Sequence, residues 1–421
     1  MNYHIDELIV CDNEIRRQIN EGIEKNRKGY FSICIEGCDS IHVKLIKHKF
    51  RFGCNLFMLD EFPDKGKNEI YKEKFVDLFN MATLPFYWDA TEPQEGKTRY
   101  IKDSPEIYRR PPIDRCIEFC EQHGIEPREH ALCYEHCFPD WLKDKPIEYI
   151  KKRLEIRMKQ ISERYNHKIP TIEVTNEMQW DKGKTAFYSD PDYMAFCYKL
   201  AEKYFPKNKL AINEFWSVWE QNGFPWDVYW QNIQNVLLQG GRIDAIGMQY
   251  HMFYRKNEYF EKTRKHFDFR HLLKILDNYA VFGKPIQITE VTIPAFTDNP
   301  EDEFLQADTL ERLYSLWFSY PNIEQIIYWN LVDGYAGSAT PGDMMAGENY
   351  YRGGLLRFDL SEKPAYQCIK RLIKDIWTTN EEVPVVNGKA DFHGFYGDYE
   401  VIAQNRKYTI QLTEDKEVKY L

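Results

Sequence analysis

Two stretches of the chain end alike. TIEVTNEMQW (residues 171–180) and PIQITEVTIP (285–294) each begin as a short apolar strand, and each closes on a carboxylate among polar residues, Glu177 and Glu290. One polar strand end is an ordinary turn. Two carboxylates facing each other are the pair that acetal hydrolysis needs, one to protonate the leaving oxygen and one to attack the anomeric carbon or activate a water. At about 5–5.5 Å apart the second attacks directly and configuration is retained. Close like charges resist ionising together, so one carboxyl is held protonated and serves as the acid. Asn176, beside Glu177, is placed to hold a sugar hydroxyl.

For the two carboxylates to face each other, the strands must belong to one closed array. Eight apolar runs alternate in order with 3.6-periodic segments. They cover residues 52–57, 81–86, 128–134, 170–177, 209–214, 243–251, 286–292 and 323–330. Pro and Asp open several of the helical segments, and Gly124, Gly240 and Gly283 follow others. Eight β-then-α units predict an α/β chain folded as a (β/α)8 TIM barrel, whose reacting groups come from the C-terminal strand ends. An open doubly wound sheet is the alternative, although no Gly-rich dinucleotide fingerprint follows any strand. The strand ends supply His130, Asn176 with Glu177, Asn213 with Glu214, Gln249 with His251, Glu290, and Trp329 with Asn330. Residues 28–50 and 384–421 instead alternate apolar and polar positions between Gly and Asn turns, as antiparallel strands do. The expected organisation is an N-terminal helix and β segment over 1–50, the barrel over 51–380, and a C-terminal β segment over 381–421 that packs with the N-terminal one as a small accessory β module.

Bulk properties narrow the partners. The 421 residues carry a net charge of −10, which argues against nucleic acid, because phosphate contacts require clustered Lys and Arg. No segment approaches the roughly 20 apolar residues of a membrane helix, so no membrane partner is expected. The first twenty residues lack the apolar run of a secretory signal, and the expected location is cytoplasmic, with the ten cysteines reduced. Cys116/Cys120 and Cys133/Cys137 are spaced by four, with His130 and His136 near the second pair, which is not the usual zinc-knuckle spacing. Neither a metal nor a cofactor is expected. The sequence carries no signal for an oligomeric state.

The residue set resembles glycoside hydrolase family 10, the retaining endo-β-1,4-xylanases, over nearly the whole chain from FRFGCNLF to SEKPAYQCIKRLI. Its most specific piece is FYWDATEPQEGK (86–97), similar to the family's Trp-Asp-x-Thr-Glu-Pro run. The resemblance implies that Glu177 is the acid/base and Glu290 the nucleophile, acting on a β-linked oligo- or polysaccharide. It further implies that Gln249 and His251 contact the nucleophile and the sugar, that His130 binds the glycone beside the scissile bond, that Trp329 floors that subsite, and that Trp88, which begins the Trp-Asp run, also meets substrate. Departures fall in the substrate clamp. Leu84 and Tyr87 stand where the family has Asn and Lys, Tyr134-Glu135 replaces Trp-His, Thr292 replaces the Asp that orients the catalytic His, and Gly337-Ser338 stands where Ser-Trp is expected. Tyr87 and Tyr134 are accordingly expected to meet sugar in place of the lost groups. These changes admit a decorated xylan or another β-glycoside as substrate.

Two other classes stand beside hydrolysis: a carbohydrate-binding protein that has lost turnover, and a metal-dependent hydrolase using His130, His136 and His251. Glu214 reads either as a third rim carboxylate or as a hydrogen-bonding residue. Trp216, Trp219, Trp226 and Trp230 read either as an aglycone wall or as helix packing, with at least two in the core. Asp89 and Glu92 are expected to fix their loop.

Overall fold

The computed structural model describes residues 5–179, 185–221 and 227–421. Two strands come first, β1 (Lys28–Cys34) and β2 (Ser40–His48). The apolar runs then give β3 (Arg51–Asn55), β4 (Met81–Pro85), β5 (Glu126–His130), β6 (Thr171–Asn176), β7 (Lys209–Glu214), β8 (Ala245–His251), β9 (Ile286–Thr292) and β10 (Ile323–Tyr328). These eight close into a parallel barrel in chain order, with β10 returning to β3. The open doubly wound alternative is thereby set aside. Every residue of β4, β6, β8 and β9 is buried, as strands covered on both faces must be.

Five strands, β3, β4, β5, β6 and β10, end before their apolar runs do. β5 stops at His130, although Leu132 N and Cys133 N still donate to Glu173 and Val174 carbonyls of β6 at 2.9 and 3.1 Å. β10 stops at Tyr328 because Asn330 takes a left-handed backbone, φ 75°. Capping follows the sequence signals: Gly124, Gly240 and Gly283 all adopt positive φ after their helices, and Asn299 caps the helix opened by Pro300.

The chain ends on β11 (Asn380–Val386), β12 (Lys389–Phe395), β13 (Gly397–Ala403), β14 (Arg406–Leu412) and β15 (Glu417–Tyr420). With β1 and β2 they make a seven-stranded sheet ordered β14-β13-β2-β11-β12-β1-β15. Its apolar face, including Phe31, Val43, Tyr399 and Val401, is buried. The sheet joins the barrel where the strands begin. Asn80, just before β4, donates to the His48 and Phe50 carbonyls at 3.2 and 3.0 Å, and Phe52, Phe318 and Trp377 stack there. Arg27 donates to the carbonyls of Phe318, Tyr320 and Ile323 beneath the same junction. The accessory sheet therefore supports the N-terminal end of the barrel and leaves the opposite end to loops. No described helix is long and apolar enough to cross a membrane.

Candidate active site

Parallel pairing sets residues of neighbouring strands side by side. Asn176 of β6 is paired with Asn213 of β7, Gln249 of β8 with Glu290 of β9, and His251 with Thr292. The β8–β9 register shifts at Met248/Gln249, the kind of irregularity that re-aims side chains at a barrel rim. Glu177 follows β6 with φ 51°, a left-handed turn that takes the chain out of the strand. Asn176, Glu177, Gln249, His251 and Glu290 meet at one cavity of about 330 Å³ at the C-terminal mouth of the barrel, with Asn213 and Thr292 behind them.

The hydrogen bonds form a connected set. Asn213 is fully buried; its Oδ1 accepts from Thr289 Oγ1 at 2.7 Å, and its Nδ2 faces Asn176 Oδ1, Glu290 Oε1 and Glu173 Oε1 at 2.9, 3.1 and 3.3 Å. Gly247 makes room for it, because a Cβ there would lie 2.5 Å from Asn213 Oδ1. Gln249 Nε2 donates to Glu177 Oε1 at 2.9 Å and to Asn176 Oδ1 at 3.1 Å. Asn176 Oδ1 thus accepts twice, and its Nδ2 is the part left to meet a ligand. Tyr134 donates its hydroxyl to Glu177 Oε2 at 2.7 Å.

Glu290 is 4% exposed. Burial pushes its carboxyl well above the ordinary carboxylate range; His130 works against that and the charge of Glu177 adds to it. His251 Nε2 lies 3.1 Å from Glu290 Oε2 and its Nδ1 2.9 Å from Thr292 Oγ1. Burial lowers the His251 pKa to about 4, so the ring is neutral and has one N–H. With that hydrogen on Nε2 the ring donates to Glu290, and the Thr292 hydroxyl donates to Nδ1. A carboxylate at position 292 would instead demand the hydrogen on Nδ1, so the threonine fits a neutral ring.

His130 is the opposite case. Burial opposes its charge, but Glu173, 2.8 Å from Nδ1, outweighs it and raises the pKa. Burial likewise opposes charge on Glu173, while Arg128 and His130 hold that carboxyl below its usual range. A charged His130 donates from Nδ1 to Glu173 and from Nε2 to the Tyr87 oxygen, 3.0 Å away. The Tyr87 O–H is then free to donate into the cavity. Tyr87, Phe57, Ala90, Cys137 and Trp329 form a small apolar cluster separate from the main core, with Tyr134 packed on it. Trp329 meets Phe57, His130 and His251 edge-on at 5.2, 5.5 and 5.9 Å.

Of the residues singled out from sequence, Glu177, Glu290, Asn176, His130, Gln249, His251, Trp329, Tyr87 and Tyr134 all line this cavity. Trp88 does not. Neighbouring residues at a helix start diverge, and while Tyr87 turns to the cavity, Trp88 turns into the protein. Its indole donates to Glu92 Oε2 at 3.0 Å and packs against Phe138 and the Arg157 guanidinium. The expected substrate contact at Trp88 is corrected to a support behind the wall. Leu84 is buried in the barrel, outside the cavity, whereas Gly337 and Ser338 line it as small residues. Glu214 is buried and accepts from Phe215 N at 3.0 Å, which is a hydrogen-bonding role. Glu92 fixes its loop, accepting also from Gly96 N and Arg153. Trp216 lines the cavity, Trp219 and Trp230 are buried in packing, and Trp226 lies outside the described residues. Among the described residues no group of three or more His, Cys, Asp and Glu is arranged to hold a metal ion. Cavity residues missed from sequence are Phe57, Arg109, Arg110, Phe215, Phe253 and Glu348; most of them come from loops, where no periodicity marks them.

The family model described as Glycosyl hydrolase family 10 matches residues 45–372. An endo-1,4-beta-xylanase 2 of Arabidopsis thaliana is 24% identical over 402 residues, covering 91% of this chain and 34% of its own length, so the chain spans about a third of that relative. An endo-1,4-beta-xylanase B of Thermotoga neapolitana is 23% identical over 350 residues, covering 80% of this chain and 93% of its own. The crystal structure of native xylanase 10B from Thermotoga maritima superposes with a TM-score of 0.62 at 21% identity, covering 77% of this chain and 95% of that one.

Proposed function

Because the chain belongs to glycosyl hydrolase family 10, we propose that it hydrolyses β-1,4-linked xylan or xylo-oligosaccharides by double displacement with retention of configuration. The observation that carries the reading is the pair Glu177 and Glu290, opening on one cavity from the ends of β6 and β9 and tied together through Asn176, Asn213 and Gln249. Glu290 attacks the anomeric carbon while Glu177 gives its proton to the leaving oxygen. Glu177 then takes a proton from water as the glycosyl–Glu290 ester is cleaved. Asn213 Nδ2 and His251 Nε2 each donate to a Glu290 oxygen, which supports the ionised form needed for attack. Asn176 Nδ2 and the Tyr87 hydroxyl are the donors available to the sugar. Tyr87 supplies a neutral donor at the position of the family's Lys. Trp329 offers the apolar floor, and Phe215, Trp216 and Phe253 continue the wall past Gln249 and His251.

A sugar-binding role without turnover is favoured by one observation, the replacement of the clamp at Leu84, Tyr87 and Tyr134. One experiment separates the two. β-Xylo- and β-gluco-oligosaccharides are followed by proton NMR with the wild type and with Glu290→Gln. Hydrolysis predicts release of the β-anomer first, and a loss of at least about 10⁴-fold in the variant. Sugar bound equally by both proteins, with no cleavage by either, would overturn the hydrolytic reading.

A further inference from the structure

The segment Arg109–Arg110 reaches the cavity from the loop before the helix Ile113–His123. The Arg110 guanidinium lies 4.1 Å from the Tyr87 ring centroid and 5.5 Å from that of Phe57, and that of Arg109 lies 5.6 Å from Phe57. The two cations are held differently. Buried Arg109 donates to Asn330 Oδ1 at 2.7 Å and to the Tyr335 carbonyl, while Asn330 Nδ2 donates to Glu348 Oε2 at 3.1 Å. Its charge is therefore met, through one amide, by a carboxylate. Arg110 is half-buried and donates to the Arg109 carbonyl at 3.0 Å; the Cys137 thiol lies beside it and the charge of Asp89 acts on it from further off, but among the described residues no carboxylate is in ion-pair contact with it. Stacking on a ring occupies a face of the guanidinium and leaves its N–H edge free. In a chain with ten more acidic than basic residues, an arginine that lines a cavity with no carboxylate in ion-pair contact leaves a positive charge for a ligand to meet.

A neutral sugar hydroxyl would satisfy one N–H of that edge. A carboxylate satisfies two in parallel and neutralises the charge as well. We infer that Arg110 receives a carboxylate carried by the substrate, so that the preferred ligand is an acidic xylo-oligosaccharide, one bearing a uronic acid on the part of the sugar chain that lies against Tyr87 and Phe57. The inference rests on the glycosidase reading for the backbone sugar and adds the substituent. The negative charge of the Glu177–Glu290 pair and that of Glu348 would repel an acid placed elsewhere in the cavity, so Arg110 also fixes where the substituent can lie.

The test uses binding, so that it does not depend on turnover. Glu290→Gln protein is titrated calorimetrically with glucuronic-acid-substituted xylotetraoses, one for each substituted position, and with plain xylotetraose, at low and at 0.5 M salt. At least one acidic ligand should bind about 10–100-fold more tightly than the neutral one, the range expected of a charge-assisted pair, and the advantage should shrink with salt. Adding Arg110→Gln should remove the advantage, and Arg110→Lys, which keeps the charge but not the paired donors, should keep part of it. Equal binding of acidic and neutral ligands, failure to bind either, or an advantage that survives Arg110→Gln overturns the inference. Wild-type cleavage of plain xylo-oligosaccharides without an acidic preference would sink this inference alone. An acidic preference without cleavage of any ligand would sink the glycosidase reading and leave the carboxylate site standing.

Discussion

The two halves of the cavity are built on different terms. Around Glu177 and Glu290 most of the groups sit at strand ends, and nearly all their polar atoms are engaged by neighbours fixed by barrel register. Around Tyr87 and Arg110 the wall is aromatic and cationic, comes largely from loops, and has few hydrogen bonds of its own. The first half holds reacting groups in place before any ligand arrives. The second leaves its donors for the ligand. A barrel can thus keep one chemistry while its loops change the substrate, because the two are carried by separate parts of the structure.

The sharpest way to break this contrast is Asn213→Ala. Asn213 does not line the cavity, yet its amide positions Glu290 and Asn176. Its loss is expected to lower kcat about 10²-fold with a much smaller change in KM, and to lower stability by about 2–3 kcal/mol, since several buried polar groups lose a partner. Steady-state kinetics and thermal melts check both. A variant within twofold of wild type would mean that register alone fixes the pair.

Tyr134→Phe probes the border between the halves. The family resemblance puts Tyr134 where a Trp is expected, whereas the structure gives its hydroxyl to Glu177. The hydrogen bond is worth more, about 1.5–3 kcal/mol, to the carboxylate that forms as Glu177 gives up its proton than to the neutral acid, and only that difference affects rate. A fall of about 10-fold in kcat with KM nearly unchanged is expected. A raised KM at constant kcat would return Tyr134 to the wall.

The same division explains what was legible in the sequence. The eight strands were visible because each is an apolar run covered on both faces, and the rim residues followed from where those runs stop. Trp88 misled because a motif gives the order of residues but not their direction, and a one-turn helix sends Tyr87 and Trp88 opposite ways. Arg109, Arg110 and Glu348 could not be found, since a loop position is set by the path of the loop and leaves no period. Thr292 read as a loss until the structure paired its hydroxyl with His251.

The smallest expected effect is a displacement rather than a loss, and it tests how dry the catalytic half is. Burial is the largest influence on Glu290 and raises its pKa. Attack requires the ionised form, so kcat/KM should fall as pH drops through that raised value, placing the acid limb above the roughly 4.3 of an exposed glutamate. Stability carries the same sign. A carboxyl whose pKa is higher folded than unfolded contributes stability that is fully present below the unfolded pKa and is lost as pH rises through the folded one. Glu290→Gln should therefore melt progressively higher than wild type as pH rises across the acid limb, with the difference shrinking below it. An acid limb at or below about 4.3, together with a melting difference flat in pH, would mean that water reaches Glu290 as freely as it reaches Arg110. The separation into a half that holds its reacting groups beforehand and a half that keeps its donors for the ligand would then lose its electrostatic premise.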